Sequence, residues 1–140
     1  MKILILLLAS AGVLGTLLAQ NNIVVKKVPL QPTSAASGEQ MFGAYCAPCH
    51  GKDGKGNGPA APAMKNAPTD LTSLATHNKG KFPNDRVFLA ITSPRDFTAH
   101  GSGEMPVWGE VLRSLDRGDP EMAHLRVSNL TSYIKSIQVK

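Results

Sequence analysis

The sequence predicts a small all-α domain, and three observations support this fold class. Apolar residues recur at helical spacing behind residues that typically cap helices, and no segment alternates long enough to predict a strand. A loop rich in glycine and proline separates the first predicted helix from the others. The chain has 140 residues, 42% hydrophobic but only 5% aromatic, so its core would be thin without a large buried cofactor.

Four helices are predicted from capping residues and apolar spacing. The first begins after Ser37, a typical cap, and runs to Cys46, and the loop 51–70 follows it. The second begins at Asn84, ends before Pro94 and carries on one face Val87, Phe88 and Ile91. The third covers about 109–116, with inward positions at Val111, Leu112 and Leu115.

The last predicted helix has the clearest start. Asp119 is its cap, Pro120 takes the first helical position, and Glu121 lies near the positive end of the helix dipole. Its expected apolar face consists of Met122, Leu125, Leu130, Tyr133, Ile134 and Ile137.

The N-terminal part predicts export. Residues 1–19 have a positive start at Lys2, an apolar run and a small residue at Ala19, which is the pattern of a signal peptide. The same run is also compatible with an uncleaved N-terminal anchor. Residues 20–36 are expected to form a linker, and 37–140 the domain. Both alternatives place the domain in the periplasm or on the outer face of the cytoplasmic membrane.

The charge argues against a nucleic-acid partner. The net charge is +5 and the isoelectric point about 9.4, but the basic residues are scattered and only Lys26 and Lys27 are adjacent. A mild preference for acidic protein partners is the better interpretation.

The strongest motif is Cys46-Ala47-Pro48-Cys49-His50. The spacing C-x-x-C-H is the attachment pattern of c-type haem: two thiols form thioethers with the vinyl groups, and the histidine coordinates the iron. Three other interpretations explain less. A disulfide leaves His50 unexplained, a thioredoxin-like pair needs a βαβ setting, and a zinc site needs a second ligand pair. The sequence therefore predicts one covalently attached haem c.

Met105 is the predicted second axial ligand. It lies in a segment where glycine and proline let the backbone approach a flat cofactor, whereas Met122 falls on a helix face and Met64 close after the haem loop. His100 is kept as an alternative ligand because it precedes the same segment.

The chain resembles the class I cytochromes c from about Gly38 to Ile137. The pattern Gly38-x-x-x-Phe42 before the haem motif is similar to the family's first helix, which packs on the last helix, here through Leu130 and Tyr133. The resemblance implies a small cytochrome c fold of three to five helices around one haem.

The resemblance also suggests roles around the haem. Pro59, with Pro62 as second choice, matches the proline whose carbonyl accepts a hydrogen bond from the axial histidine. Trp108 is expected either to hydrogen-bond a propionate through its indole N–H or to pack on the haem. Other candidates for the propionates are Arg86, Arg95 and Arg113.

The predicted function is one-electron transfer in a respiratory or related exported chain, with His50 and Met105 on the iron and no catalytic residues. The expected partners are a donor and an acceptor protein of unknown identity, with membrane association through the N-terminus as a further possibility. A membrane-tethered relay subunit of an oxidase or dehydrogenase is the alternative, and an open-site haem peroxidase or gas sensor is a third.

Overall fold

The computed structural model describes residues 30–93 and 105–139. The predicted signal, most of the predicted linker, Pro94 and His100 lie outside these ranges. In chain order the elements are α1 (Gly38–Met41), a π-helical segment (Phe42–Cys46), α2 (Ala47–His50), 3₁₀ turns (Ala61–Ala63 and Leu71–Ser73), α3 (Leu74–His77), α4 (Asn84–Thr92), α5 (Trp108–Ser114) and α6 (Pro120–Ser136). The described part of the chain contains helices and no strand, which confirms the all-α class. None of these helices combines the length and apolar character needed to cross a membrane.

The predicted helix starts are confirmed. The Ser37 hydroxyl accepts a hydrogen bond from the Gln40 amide at 3.2 Å. The Asp119 carboxylate accepts bonds from the next two free amides, at 2.9 and 3.3 Å. Helix α4 begins at Asn84 as expected, and α5 begins one residue before the predicted start. These ends are predictable because each cap acts within its own turn.

The first helix is not uniformly α-helical, which the sequence did not indicate. Its middle turn, Phe42–Cys46, is π-helical, with Phe42, Tyr45 and Cys46 buried. A π turn inserts one extra residue and so rotates the residues that follow around the helix axis. The segment thus sets which face Cys46 and the rest of the motif present to the interior.

Helices α1 and α6 cross at Gly38. A Cβ atom there would overlap the Asn129 carbonyl oxygen and lie 2.8 Å from Tyr133 Cβ, so only glycine allows this approach. Beside the crossing, the rings of Phe42 and Tyr133 lie 5.2 Å apart, and Leu130 is fully buried. The expected packing of Gly38 and Phe42 against Leu130 and Tyr133 is therefore confirmed.

The expected apolar face of α6 is partly wrong. Leu125 is 42% exposed, and the buried residues are Arg126, Val127, Leu130, Thr131 and Ile134. Arg126 can be buried because the Asp116 carboxylate binds its guanidinium through both oxygens, one contact measuring 2.9 Å. Because the ion pair removes the cost of an isolated buried charge, the buried side of α6 includes Arg126, and Leu125 faces outward.

Residues 31–35, expected to be part of a linker, are held against the domain. The Thr33 carbonyl accepts a bond from Arg126 at 2.9 Å, and the Ala35 carbonyl accepts one from Asn129 at 2.9 Å. The Tyr45 hydroxyl donates to the Gln31 carbonyl at 2.6 Å. This segment is therefore placed by side chains of the helices, which composition alone could not indicate.

Replacing Gly38 by valine should destabilise the protein by roughly 1–3 kcal/mol or more, the usual cost of overpacking, because the added atoms meet backbone of α6. Gly43 is the matched control, since a Cβ atom there meets nothing within 4 Å. Gly43→Ala should be neutral or stabilising by up to about 1 kcal/mol. Guanidinium unfolding of the holoprotein followed by circular dichroism measures both, and equal losses would contradict the proposed steric cause.

Asp116→Asn should cost about 3 kcal/mol at neutral pH because it leaves the Arg126 guanidinium buried without its counter-ion. The hydrogen bond from Arg126 lowers the pKa of Asp116 below its ordinary 3.8, although desolvation opposes the shift. A lowered folded-state pKa gives stability that is present above pH ~4 and is lost as the pH falls through the folded pKa.

The free-energy difference between wild type and Asp116→Asn should accordingly shrink below pH ~4. Glu110→Gln, which removes the exposed partner of a 3.8 Å contact with Arg113, should change stability by less than about 1 kcal/mol. Urea unfolding as a function of pH measures these differences. A pH-independent difference for Asp116→Asn would contradict the assignment.

Candidate functional site

The predicted attachment motif lies where the first helical stretch ends. Cys46 closes the π-helical segment, and Cys49 and His50 belong to α2. Cys46 and His50 are each 8% exposed, Cys49 is partly exposed, and both thiols are free. Burial raises the pKa of the Cys46 thiol to about 12, with the neighbouring Cys49 adding to the shift. The two sulfurs are thus presented at the edge of the interior rather than joined as a disulfide.

The loop after the motif fixes α2 from its carbonyl end. The amide of Gly51 donates to the carbonyl of Ala47, the first residue of α2, at 2.9 Å. The amide of Gly56 donates to the carbonyl of His50, the last residue of α2, at 2.7 Å. The amides of Gly58 and Ala60 donate to the other two α2 carbonyls, those at positions 49 and 48, at 3.0 and 2.9 Å. The carbonyls that a helix end normally leaves unpaired are therefore all satisfied. Gly51 and Gly56 have φ near +80°, which explains the glycines at these turns.

The ring of His50 is oriented by a backbone carbonyl. Its Nδ1 lies 2.9 Å from the Thr69 carbonyl oxygen. Donation from Nδ1–H selects the tautomer in which Nε2 carries the lone pair, so Nε2 is the atom available to a metal.

Thr69 occupies the place that we expected for Pro59, or for Pro62 as second choice, so that expectation is wrong. Residues 56–60 lie instead against the end of α2, where their amides are used as described above. The loop then crosses itself at Gly56, where a Cβ atom would overlap the Pro68 carbonyl oxygen. The returning chain, and not the proline-containing half, passes the His50 ring.

One cavity brings Met105 together with Cys46 and His50, although Met105 follows His50 by 55 positions in the sequence. Its wall is mostly apolar and includes Leu71, Leu74, Val87, Ala90, Ile91 and Ile134. A cysteine thiol and an imidazole on an apolar wall are groups that a covalently attached haem uses, and a methionine thioether is one of the second ligands that haem iron takes in proteins. Cys49 does not line the cavity but lies in the same turn of α2 as His50. The residues present therefore fit the predicted cofactor.

Among the three candidate methionines, the structure separates Met105 from the other two. Met105 lines the cavity together with His50, whereas Met64 and Met122 do not. Met122 lies in the first turn of α6 and Met64 follows a 3₁₀ turn of the loop, as the sequence indicated.

Trp108 contacts Tyr45. The two rings are stacked with centroids 5.5 Å apart and planes at 27°. Trp108 is not among the residues that line the cavity in the described ranges, so neither expected role, a propionate bond or haem packing, is visible here. The Tyr45–Trp108 stack was not expected from the sequence, because its two rings come from separate helices 63 positions apart.

The polar part of the cavity wall distinguishes among the three arginines considered for the propionates. Arg86 lines the cavity, together with Thr69, His77 and Asn78. Arg113 instead donates to the Gly118 carbonyl at 3.0 Å. Arg95 lies outside the described residues.

Comparison with protein families gives a match over most of this domain. The model of the family described as cytochrome c oxidase, cbb3-type, subunit III, matches residues 33–119. The match includes the C-x-x-C-H motif, its loop, Met105 and Trp108, and ends directly before α6. Comparison with curated proteins and with solved structures gives no match. The chain therefore belongs to the cbb3-type cytochrome c oxidase subunit III family, and its domain is a class I c-type cytochrome domain.

Proposed function

We propose that the protein is a one-electron carrier of an exported electron-transfer chain, with His50 and Met105 as axial ligands of one haem c. The observation that supports it is the shared cavity of Cys46, His50 and Met105. The family accounts for covalent haem and electron transfer in general. The ligand pair and the type of chain are the parts that we add.

Different residues of the chain would attach the haem, coordinate its iron and orient the axial histidine. Cys46 and Cys49 would supply the two thioether links, His50 Nε2 one axial ligand and Met105 Sδ the other. When bound, the haem supplies iron that alternates between the ferric and ferrous states. Thr69 holds the His50 ring through Nδ1, which also raises the basicity of Nε2.

The cavity wall suits electron transfer without substrate chemistry. Apolar side chains on α4 and α6 exclude water, so little solvent has to reorganise when the charge changes. A thioether ligand favours the ferrous state and raises the reduction potential. No catalytic residue is required, and we therefore propose a carrier and not an enzyme in its own right.

Arg86 is the proposed partner of a haem propionate. It is the one of the three candidate arginines that the structure places on the cavity wall within residues 30–93 and 105–139. Its exposure lets the guanidinium reach the cavity rim while staying solvated. A cation at this position would offset part of the charge that two propionates bring.

A relay subunit of a terminal oxidase is the second candidate function. The family description names a subunit of a cbb3-type oxidase, and the apolar run within residues 1–19 would provide a membrane anchor. In both candidates we place the domain on the exported side, with one donor and one acceptor protein as partners.

Met105→Ala should abolish the thioether-to-ferric-iron absorption band, lower the reduction potential and let carbon monoxide bind the ferrous haem. Met64→Ala and Met122→Ala are matched controls, because neither sulfur lines the cavity, and both should keep the wild-type spectrum. Absorption spectra of the ferric, ferrous and carbon monoxide-treated holoproteins measure these effects. Wild-type protein that lacks the band and binds carbon monoxide readily would instead support the open-site peroxidase or sensor.

The two candidate functions predict different mature proteins. A mobile carrier should begin near Gln20 and purify without detergent, whereas a relay subunit should retain residues 1–19 and co-purify with an oxidase from detergent-solubilised membranes. N-terminal sequencing and mass analysis of the native protein distinguish them. Retention of residues 1–19 in an oxidase complex would overturn the mobile-carrier proposal.

A further inference from the structure

Tyr45 joins three separate parts of the chain. It is 7% exposed and directly precedes Cys46 on the cavity wall. Its ring stacks on Trp108 at 5.5 Å, and its hydroxyl donates to the Gln31 carbonyl at 2.6 Å. The same hydroxyl lies 2.9 Å from the hydroxyl of Thr33. One side chain therefore connects the N-terminal segment 31–35, the helical stretch 38–50 that carries the C-x-x-C-H motif, and the start of α5.

Segment 31–35 is itself fixed to α6. Two of its backbone carbonyls accept side-chain bonds of 2.9 Å, at Thr33 from Arg126 and at Ala35 from Asn129. The Arg126 guanidinium is in turn held by the Asp116 carboxylate. Bidentate, charge-assisted contacts of this kind restrict orientation as well as distance. The Tyr45 hydroxyl is thus bound to a firmly placed segment, and its ring has little freedom to turn.

The other partner of Tyr45 lies close to the proposed ligand. Trp108 follows Met105 by three residues, so their Cα atoms are at most about 11 Å apart. Pro106 fixes one backbone angle between them, and Val107 caps α5 without a side-chain hydrogen bond. On the far side, a Cβ atom at Gly109 would come within 3.0 Å of the Thr92 carbonyl oxygen, so α5 lies tightly against α4. The start of α5 is therefore held between α4 and Tyr45.

We propose that segment 31–35 acts as a clasp which, through Tyr45 and Trp108, keeps Met105 in place on the haem iron. This inference rests on the axial role proposed for Met105. Tyr45 is here a positioning residue, which acts through its stack with Trp108. In this proposal Met105 leaves the iron by moving together with residues 106–108, and this movement separates Trp108 from Tyr45. The strength of the clasp then sets how often the sixth coordination position becomes accessible.

Two substitutions separate the parts of the clasp. Tyr45→Phe keeps the stacked ring but removes both contacts with segment 31–35, and Tyr45→Leu removes the stack as well. Tyr133→Phe is the matched control, because its ring also packs on the first helix but its hydroxyl makes no contact with segment 31–35. Tyr45→Phe also guards against a folding defect in Tyr45→Leu, since it preserves the buried ring.

The experiment uses the full holoprotein at fixed pH and two readouts. The first is the temperature at which the thioether-to-ferric-iron band disappears, compared with the temperature of global unfolding by circular dichroism. The second is the rate at which carbon monoxide binds the ferrous haem. We expect Tyr45→Phe to lower the band-loss temperature by more than the unfolding temperature. It should raise the carbon monoxide rate by at least roughly fivefold, since one net hydrogen bond accounts for about that factor and two contacts are lost. Tyr45→Leu should raise the rate above that of Tyr45→Phe by a further factor of at least roughly two, because the stack with Trp108 is lost as well. Tyr133→Phe should match wild type in both readouts.

The outcomes distinguish the clasp from the axial assignment. If wild type shows the band and all three variants keep wild-type band loss and carbon monoxide rates, the clasp is refuted and Met105 ligation stands. If the band and unfolding temperatures fall together in Tyr45→Phe, Tyr45 is only structural and the clasp is again refuted. If wild type has no band, the axial assignment of Met105 fails, and the clasp fails with it.

Discussion

The carbonyl end of α2 is the constraint on which the site depends. His50 is the last residue of that helix and has to face the interior, yet a buried helix end leaves carbonyls that need donors. Amides of the loop 51–60 supply these donors, and the glycines allow the turns that bring them there. The chain also returns past the ring of His50, where the Thr69 carbonyl orients the ring. The pairing of the helix end, the path of the loop and the orientation of the His50 ring therefore depend on one another.

The crossing of α1 and α6 provides the frame for this arrangement. Gly38 removes the side chain that would keep the helices apart, and the Arg126–Asp116 pair closes the same region from the turn after α5. Because Arg126 also binds the Thr33 carbonyl, the frame includes residues that precede the first helix. The start of α5 is connected to it through the stack of Tyr45 on Trp108. The helical stretch 38–50, which carries the C-x-x-C-H motif, and the start of α5 are therefore held by one connected set of contacts.

Where the expectations failed, a long-range contact outweighed a local pattern. Leu125 fits the apolar spacing of α6, but it is exposed. Arg126 is buried in its place, because the ion pair with Asp116 compensates the guanidinium charge. Pro59 was expected beside His50, but the loop crosses at Gly56 and brings Thr69 there. The local patterns around Pro59 and Leu125 do not signal these outcomes, since Thr69 is ten positions from Pro59 and Asp116 nine positions from Leu125.

The sequence by itself determined the all-α class, the caps at Ser37 and Asp119 and the haem motif. Each of these depends on residues within one turn or one motif, so the physical cause lies next to its effect in the chain. Only the tertiary structure decided the acceptor for His50, the docking of residues 31–35 and the stack of Tyr45 on Trp108. These depend on how loops close and helices cross, and such contacts between distant residues leave no periodic or spacing signal in the sequence.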